Sequence, residues 1–223
     1  NGEPITLEQF RGNKVVLLDI WTYSCINCQR TLPYLKEWDR KYRDKGLVIV
    51  GLHTPEFAFE RVLANVEKAV KDFGLEYPVV LDNDYSTWKA LGNNFWPRKY
   101  LIDLNGNIVY DHIGEGFYDE TERAIQEVLK VAAEVSIPEN ALVFNPDKIQ
   151  SPEIYFGSAR NNFLASRINL TGEWLFDPEY AQNKGEASMI YNYSAKDVYM
   201  VASAIEPVII EIYVDSKLSK TLT

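Results

Sequence analysis

Cysteine and histidine are both scarce in this 223-residue chain, which has only Cys25, Cys28, His53 and His112. A secreted scaffold stapled by disulfides spreads several pairs over its loops, so that architecture is excluded. Long apolar runs are missing too. None approaches the roughly eighteen residues a membrane-spanning helix needs, and no basic, apolar, small-residue leader opens the chain. The first residue is Asn and its neighbours are polar, so a fragment or matured product is expected, with its address carried by residues outside this sequence. Basic residues are outnumbered 23 to 32, giving a net charge of −9, and they form no cluster. Nucleic acid and anionic lipid are therefore excluded as expected partners, because phosphate binding rests on concentrated positive charge. Acidity of this kind serves solubility.

What is present is an alternation of strand and helix signals. Residues 14–22 (KVVLLDIWT) form a continuous apolar run broken only by Asp19, which predicts a strand covered on both faces. A helix is predicted over 29–45, with Leu32, Leu35, Trp38 and Tyr42 at three- and four-residue spacing and Gly46 as its stop. The pattern continues with a strand at 47–52, a helix at 58–73, a short strand at 77–81 and a short helix at 86–91. Residues 98–103 and 108–113 read as a hairpin around Asn105-Gly106, and 119–135 as a closing helix whose acidic first turn suits its dipole. Alternating elements of this kind predict a mixed α/β sheet with helices on both faces. Beyond a Pro-containing connector at 141–160, the texture turns to short strands at 186–193, 197–203 and 207–214. These suggest a small all-β sandwich with fewer strands than a complete one. The expected organisation is an α/β domain at 1–138, a linker at 139–160 and a β domain at 161–223, incomplete at its end.

The chemistry-bearing motif is Cys25-Ile26-Asn27-Cys28, which directly follows the first strand. At the first turn of a helix, free N–H groups and the helix dipole favour a thiolate, so Cys25 is expected to titrate below the ~8.5 of a free thiol. Cys28, one turn inward, is expected to be sheltered and protonated. An exposed thiolate beside a sheltered partner is what disulfide exchange requires, and i,i+3 spacing brings both sulfurs to one face. Three readings compete. A zinc site would need both histidines, which are not closely spaced. A permanent disulfide would close a tiny loop and stabilise little. A peroxidatic site expects a single attacking cysteine.

The segments LLDIWTYSCINCQRTLPYL, VIVGLHTPEFAFE, YPVVLDNDYSTWKALGN, FWPRKYLID and GEGFYDETE resemble the thioredoxin superfamily, in its TlpA/ResA-like branch. In particular they resemble the soluble C-terminal part of DipZ-type proteins. The resemblance covers about residues 1–137 and implies a thioredoxin fold with an inserted helix and strand near 58–81. It implies that Asp19 is a buried acid beneath Cys28. Desolvation would raise its pKa and let it accept the Cys28 proton, the alternative being a partly exposed acid at a strand end. It also implies a helix kink at Pro33, a cis bond at Trp96-Pro97 beside the active site, and an acid, Glu56, brought toward the site from the loop after the second strand. Trp21 and Trp96 would line an apolar substrate groove, or belong to the core. His53 reads as a structural histidine. EIYFGSARNNF and YNYSAKDVYMVAS resemble a carbohydrate-binding-module-like domain, whose Tyr180, Tyr191, Tyr193 and Tyr199 would stack on sugars or fill strand cores.

These features lead to an expected thiol–disulfide oxidoreductase that exchanges electrons with protein disulfides or dithiols through Cys25 and Cys28. It would need no cofactor beyond that redox-active pair. The resemblance implies an extracytoplasmic, membrane-tethered setting and electrons supplied by a CcdA/DsbD-like membrane partner, as in cytochrome c biogenesis. The Ile26-Asn27 dipeptide carries no cation, so a reducing couple is expected. The rival expectation is a glycan-binding or adaptor protein that uses the thioredoxin fold only as a platform.

Overall fold

A computed structural model describes residues 4–132, 137–139, 141, 151, 153–160 and 168–223. Its centre is β1 (Val15–Trp21), in which all seven residues are buried. Side chains alternate across a strand, so Val16, Leu18 and Ile20 pack on one face with Val50, Leu52, Tyr100 and Ile102. Val15, Leu17 and Trp21 pack on the other with Leu32, Leu35, Trp38, Ile49, Leu101 and Ile125. Cover on both faces is why the run reads as continuous rather than alternating.

β2 (Leu47–His53) runs parallel to β1, and β3 (Val79–Leu81) runs parallel to β2. On the other side β4 (Arg98–Ile102) is antiparallel to β1, and β5 (Ile108–Ile113) is antiparallel to β4. The resulting order, β3-β2-β1-β4-β5, is a mixed five-stranded sheet with the expected thioredoxin arrangement. β4 and β5 are joined by the predicted turn. Gly106 takes a φ of 85°, and the Asp103 carboxylate accepts the N–H groups of Asn105 and Asn107, both at 2.9 Å.

α1 (Ile26–Tyr42) buries Cys28, Leu32, Leu35, Trp38 and Tyr42 against the sheet and contains Pro33. The chain leaves it through a 3-10 turn, Arg43–Lys45, that stops at Gly46, where φ is 104°. The predicted helix over 58–73 is divided. A 3-10 turn, Ala58–Arg61, is followed by α2 (Leu63–Phe73), which ends at Gly74. α3 (Ser86–Ala90) and α4 (Tyr118–Leu129) complete this part. The closing helix expected to reach 135 stops at Leu129, where Lys130 turns left-handed at a φ of 56°; 133–135 lie outside the described residues, as do 142–150 of the connector and the start of the β region at 161–167.

Among its described residues the C-terminal part forms three antiparallel pairs: β6 (Ile168–Thr171) with β9 (Ser188–Tyr191), β7 (Trp174–Phe176) with β8 (Ala181–Asn183), and β10 (Ile210–Val214) with β11 (Lys217–Leu222). The strand expected at 197–203 does not form. Val198, Tyr199, Met200 and Val201 are all exposed and have no ladder partner among the described residues. β-propensity without a neighbour to pair with does not hold a strand. The strand expected from 207 begins only at Ile210.

Candidate active site

The two cysteines sit where β1 passes into α1. Cys25 is the N-cap of the helix, and its sulfur accepts the Cys28 N–H at 3.2 Å. Both thiols are free, Cys25 partly exposed and Cys28 buried. Burial, and then the neighbouring Cys25 sulfur, push the Cys28 thiol well above its ordinary range.

Asp19 lies within β1, between Gly51 of β2 and Lys99 of β4 in the ladder, and is 1% exposed. Burial raises its pKa from 3.8 to about 6, against the opposing pull of the Lys99 ammonium. Its Oδ1 has no hydrogen-bond partner among the described residues, so no hydrogen bond offsets the desolvation of that oxygen. Asp19 in turn raises the Cys28 thiol, which places the carboxylate within electrostatic reach of that sulfur. Lys99 is fully buried and donates to the Gly114 carbonyl at 3.1 Å. Its pKa is lowered by burial. A buried lysine at this position was not legible in the sequence.

The loop before α1 is held from below. His53 Nε2 accepts the Tyr23 N–H at 3.4 Å, and the two rings stack at 5.6 Å. Burial lowers the His53 pKa to about 4, so it is a neutral structural group, as expected. Glu60, fully buried, makes the tightest contacts. One carboxylate oxygen accepts the Ser24 hydroxyl at 2.6 Å, and the other accepts the N–H groups of Glu56 and Phe57 at 2.6 and 2.9 Å. It therefore ties the residue before Cys25 to the loop after β2. Sequence reading placed Glu60 inside a long helix. Its spacing of three from Phe57 is that of a capping carboxylate, but Phe57 is not a capping residue, so the signal was weak.

Trp96 packs over Trp88, with ring centroids 4.2 Å apart, and donates from Nε1 to the Thr54 carbonyl at 2.9 Å. The Trp96-Pro97 peptide bond is cis and Pro97 itself is buried. Trp21 is not at any rim. It is wholly buried, edge-on to His53 at 5.3 Å, because the odd-numbered side chains of β1 point into the α1 face of the core. Of its two expected roles, the core one is what the structure has.

A cleft of about 200 Å³ opens beside Cys25. Asn27, Glu56 and the Asn94-Phe95-Trp96 loop line it, together with Glu153, Tyr155 and Arg160 from the segment at 153–160. Burial raises the Glu56 pKa while Arg160, 2.7 Å away, pulls it down. The structure thus brings Cys25, Trp96 and Glu56 to one cleft and sets Cys28 and Asp19 beneath it. The three connector residues were missed because nothing in their spacing ties them to a motif more than a hundred residues earlier. Among the described residues, no group of three or more His, Cys, Asp or Glu side chains is placed to hold a metal ion, and no helix is long and apolar enough to cross a membrane. In the C-terminal part, the Tyr191 and Tyr193 rings stack at 5.8 Å, and Tyr199 lies under the Arg30 guanidinium at 5.6 Å.

Comparison with known proteins bears on family and fold. The Redoxin family profile matches residues 1–129. Protein DipZ of Mycobacterium bovis is 39% identical over 225 residues, covering 89% of this chain and 32% of the relative. The chain thus spans about a third of the length of the DipZ relatives it matches. Thiol-disulfide oxidoreductase ResA of Bacillus thuringiensis is 32% identical over 129 residues, covering 58% of this chain and 69% of that protein. Among solved structures, a thiol-disulfide isomerase from Corynebacterium glutamicum superposes with a TM-score of 0.54 at 22% identity, covering 59% of this chain and 90% of that one, a likeness of fold.

Proposed function

This chain belongs to the Redoxin family of the thioredoxin superfamily, in its TlpA/ResA-like branch; from that premise we propose that it is a thiol–disulfide oxidoreductase in which Cys25 and Cys28 carry the exchange, with Asp19 as the proton acceptor. The carrying observation is the pairing at the start of α1. A partly exposed sulfur receives a main-chain N–H, and a buried thiol stands one turn inward. The Cys25 thiolate attacks one sulfur of a partner disulfide. The mixed disulfide forms and the other partner sulfur leaves as a thiol. Cys28 then attacks Cys25 Sγ, closing the Cys25–Cys28 disulfide and releasing the partner in its reduced, dithiol form. Because burial keeps Cys28 protonated, this second step needs a base nearby. Asp19, with a pKa of about 6, is ionised at neutral pH and supplies one. No cofactor beyond the cysteine pair enters the scheme.

The likeness to DipZ extends the proposal. The partner disulfides are those of other proteins, the setting is extracytoplasmic and membrane-tethered, and electrons arrive from a CcdA/DsbD-like membrane protein. The couple is reducing, since no cation lies between the cysteines. Insulin reduction by the wild type and by Cys25→Ser tests the central claim. Loss of turnover in the variant is expected, and equal rates would end the proposal. A glycan-binding role for the C-terminal part finds support in the stacked Tyr191 and Tyr193 rings. A glycan array with wild type and Tyr193→Ala tests it, with sugar binding lost in the variant as the expected result.

A further inference from the structure

One wall of the cleft at Cys25 comes from outside the α/β fold. Arg160 joins Glu56 at 2.7 Å, and its guanidinium lies 4.1 Å from the centre of the Tyr155 ring. Glu153 accepts the Tyr155 hydroxyl at 3.0 Å and the side-chain amide of Asn27, one of the two residues between the cysteines, at 3.2 Å. The segment at 153–160 is therefore fastened on both sides of Cys25, to α1 at one end and to the loop after β2 at the other.

That segment is in turn held by the C-terminal β part. Ser158 and Ala159 donate their N–H groups to the carbonyls of Asp177 and Pro178, in the turn between β7 and β8, at 2.7 and 3.2 Å. Gly157 lies so close to this turn that a Cβ would fall 2.4 Å from the Pro178 oxygen. Only glycine fits there, because backbone atoms cannot give way as a flexible side chain does. The same turn reaches the α/β part directly, where the Glu179 carboxylate accepts the Ala58 N–H at 2.9 Å. Turn, segment and cleft form one continuous set of contacts.

We infer that residues 153–160, with Arg160 as their clamp, determine which disulfides reach Cys25. A cleft of about 200 Å³ is smaller than the ~300 Å³ at which small-molecule pockets begin. It admits a disulfide carried on an extended, slender chain and excludes one set flush in the surface of a folded protein. The C-terminal β part thereby acts on the thiol chemistry through the wall it supports, whether or not it binds a ligand of its own. The inference rests on Cys25 being the attacking sulfur.

The test uses the reduced full chain and needs no turnover, so it is read separately from insulin reduction. Cys25 is alkylated in parallel with iodoacetamide and with a maleimide carrying a long polyethylene glycol chain, and the ratio of bulky to small reagent rates is taken. Arg160→Ala is expected to raise that ratio about fivefold, the upper range for freeing a partly exposed ion pair. Gly157→Val is expected to raise it about tenfold, because the forced side chain displaces the whole segment. The exchanged pair Glu56→Arg with Arg160→Glu is expected to return the ratio toward that of the wild type. An unchanged ratio in Arg160→Ala overturns the inference. That variant alters a half-exposed side chain and leaves the core untouched, so it decides the matter even if Gly157→Val fails to fold.

Discussion

β1 and β10 are built from similar residues, Val-Val-Leu-Leu-Asp-Ile-Trp in one and Ile-Glu-Ile-Tyr-Val in the other, yet every residue of β1 is buried and none of β10 is. The difference lies in what surrounds them. β1 has a neighbour on each edge and packed side chains on both faces, whereas β10 pairs with β11 alone among the described residues. Apolar composition creates a demand for cover, and helices or a second sheet have to meet it. Where it is met, as around Asp19 and Cys28, desolvation becomes a chemical instrument that shifts proton affinities. Among the described residues, the β pairs of the C-terminal part hold no such buried group, and they act on the cleft mechanically, through the turn that seats residues 153–160.

The comparison is broken or upheld most directly by truncating one side chain in each region. Leu35, on α1, is fully buried, and Leu35→Ala is expected to cost about 3–4 kcal/mol, combining lost transfer energy with an unfilled cavity. Ile205, in the C-terminal part, is 97% exposed, and Ile205→Ala should change stability by less than about 0.5 kcal/mol. Urea denaturation of both variants provides the check. A cost at Ile205 approaching that at Leu35 would mean that the C-terminal apolar residues are covered in solution, and the contrast drawn between the regions would fail.

Burial as a chemical instrument has a signed consequence at Asp19. Its pKa is about 6 when folded and 3.8 when exposed, so the folded protein binds its proton more tightly. A raised carboxylate favours folding below the unfolded pKa. That benefit is lost as pH rises toward the folded value, and above about 6 the buried carboxylate is a standing cost. Asp19→Asn removes this cost. The variant should match the wild type near pH 4 and exceed it by about 3 kcal/mol at pH 7.5, from the 1.36 kcal/mol that accompanies each pKa unit. Denaturant midpoints at the two pH values measure it. A stability gain independent of pH would show that Asp19 is not titrating in a dry site.

Much of this organisation was legible in the residues. Continuous apolar runs at 14–22 and 47–52 identified covered strands, Gly46 and Gly74 marked helix ends, and Cys-x-x-Cys pointed to the strand-to-helix junction where the candidate site lies. Asp19 stood out as the one acid in an apolar run. Three things stayed hidden for physical reasons. The strand at 197–203 had the composition but lacked a partner, which local sequence does not encode. Lys99 was concealed because its burial depends on β4 lying beside Asp19, a pairing between residues 80 positions apart. Glu153, Tyr155 and Arg160 gave no sign because a connector's chemistry depends on where the chain returns.

Hydrogen bonds extend the contrast at a smaller scale. Glu60 and Ser188 each take part in a short side-chain bond, Glu60 with the Ser24 hydroxyl at 2.6 Å and Ser188 with the Thr171 hydroxyl at 2.5 Å. The first lies in a fully buried carboxylate's network, which also satisfies the main-chain N–H groups of Ser24, Glu56 and Phe57, and the second faces solvent. Glu60→Gln leaves the volume intact but turns an amide NH2 toward donors that need an acceptor, so a loss of about 1–3 kcal/mol is expected. Ser188→Ala exposes its partner only to water, which replaces the lost bond, and should cost less than about 0.5 kcal/mol. Thermal unfolding of both variants measures the gap. If Ser188→Ala costs as much as Glu60→Gln, the exposed ladders carry more of the stability than their solvent contact allows, and burial is not what separates the two parts of the molecule.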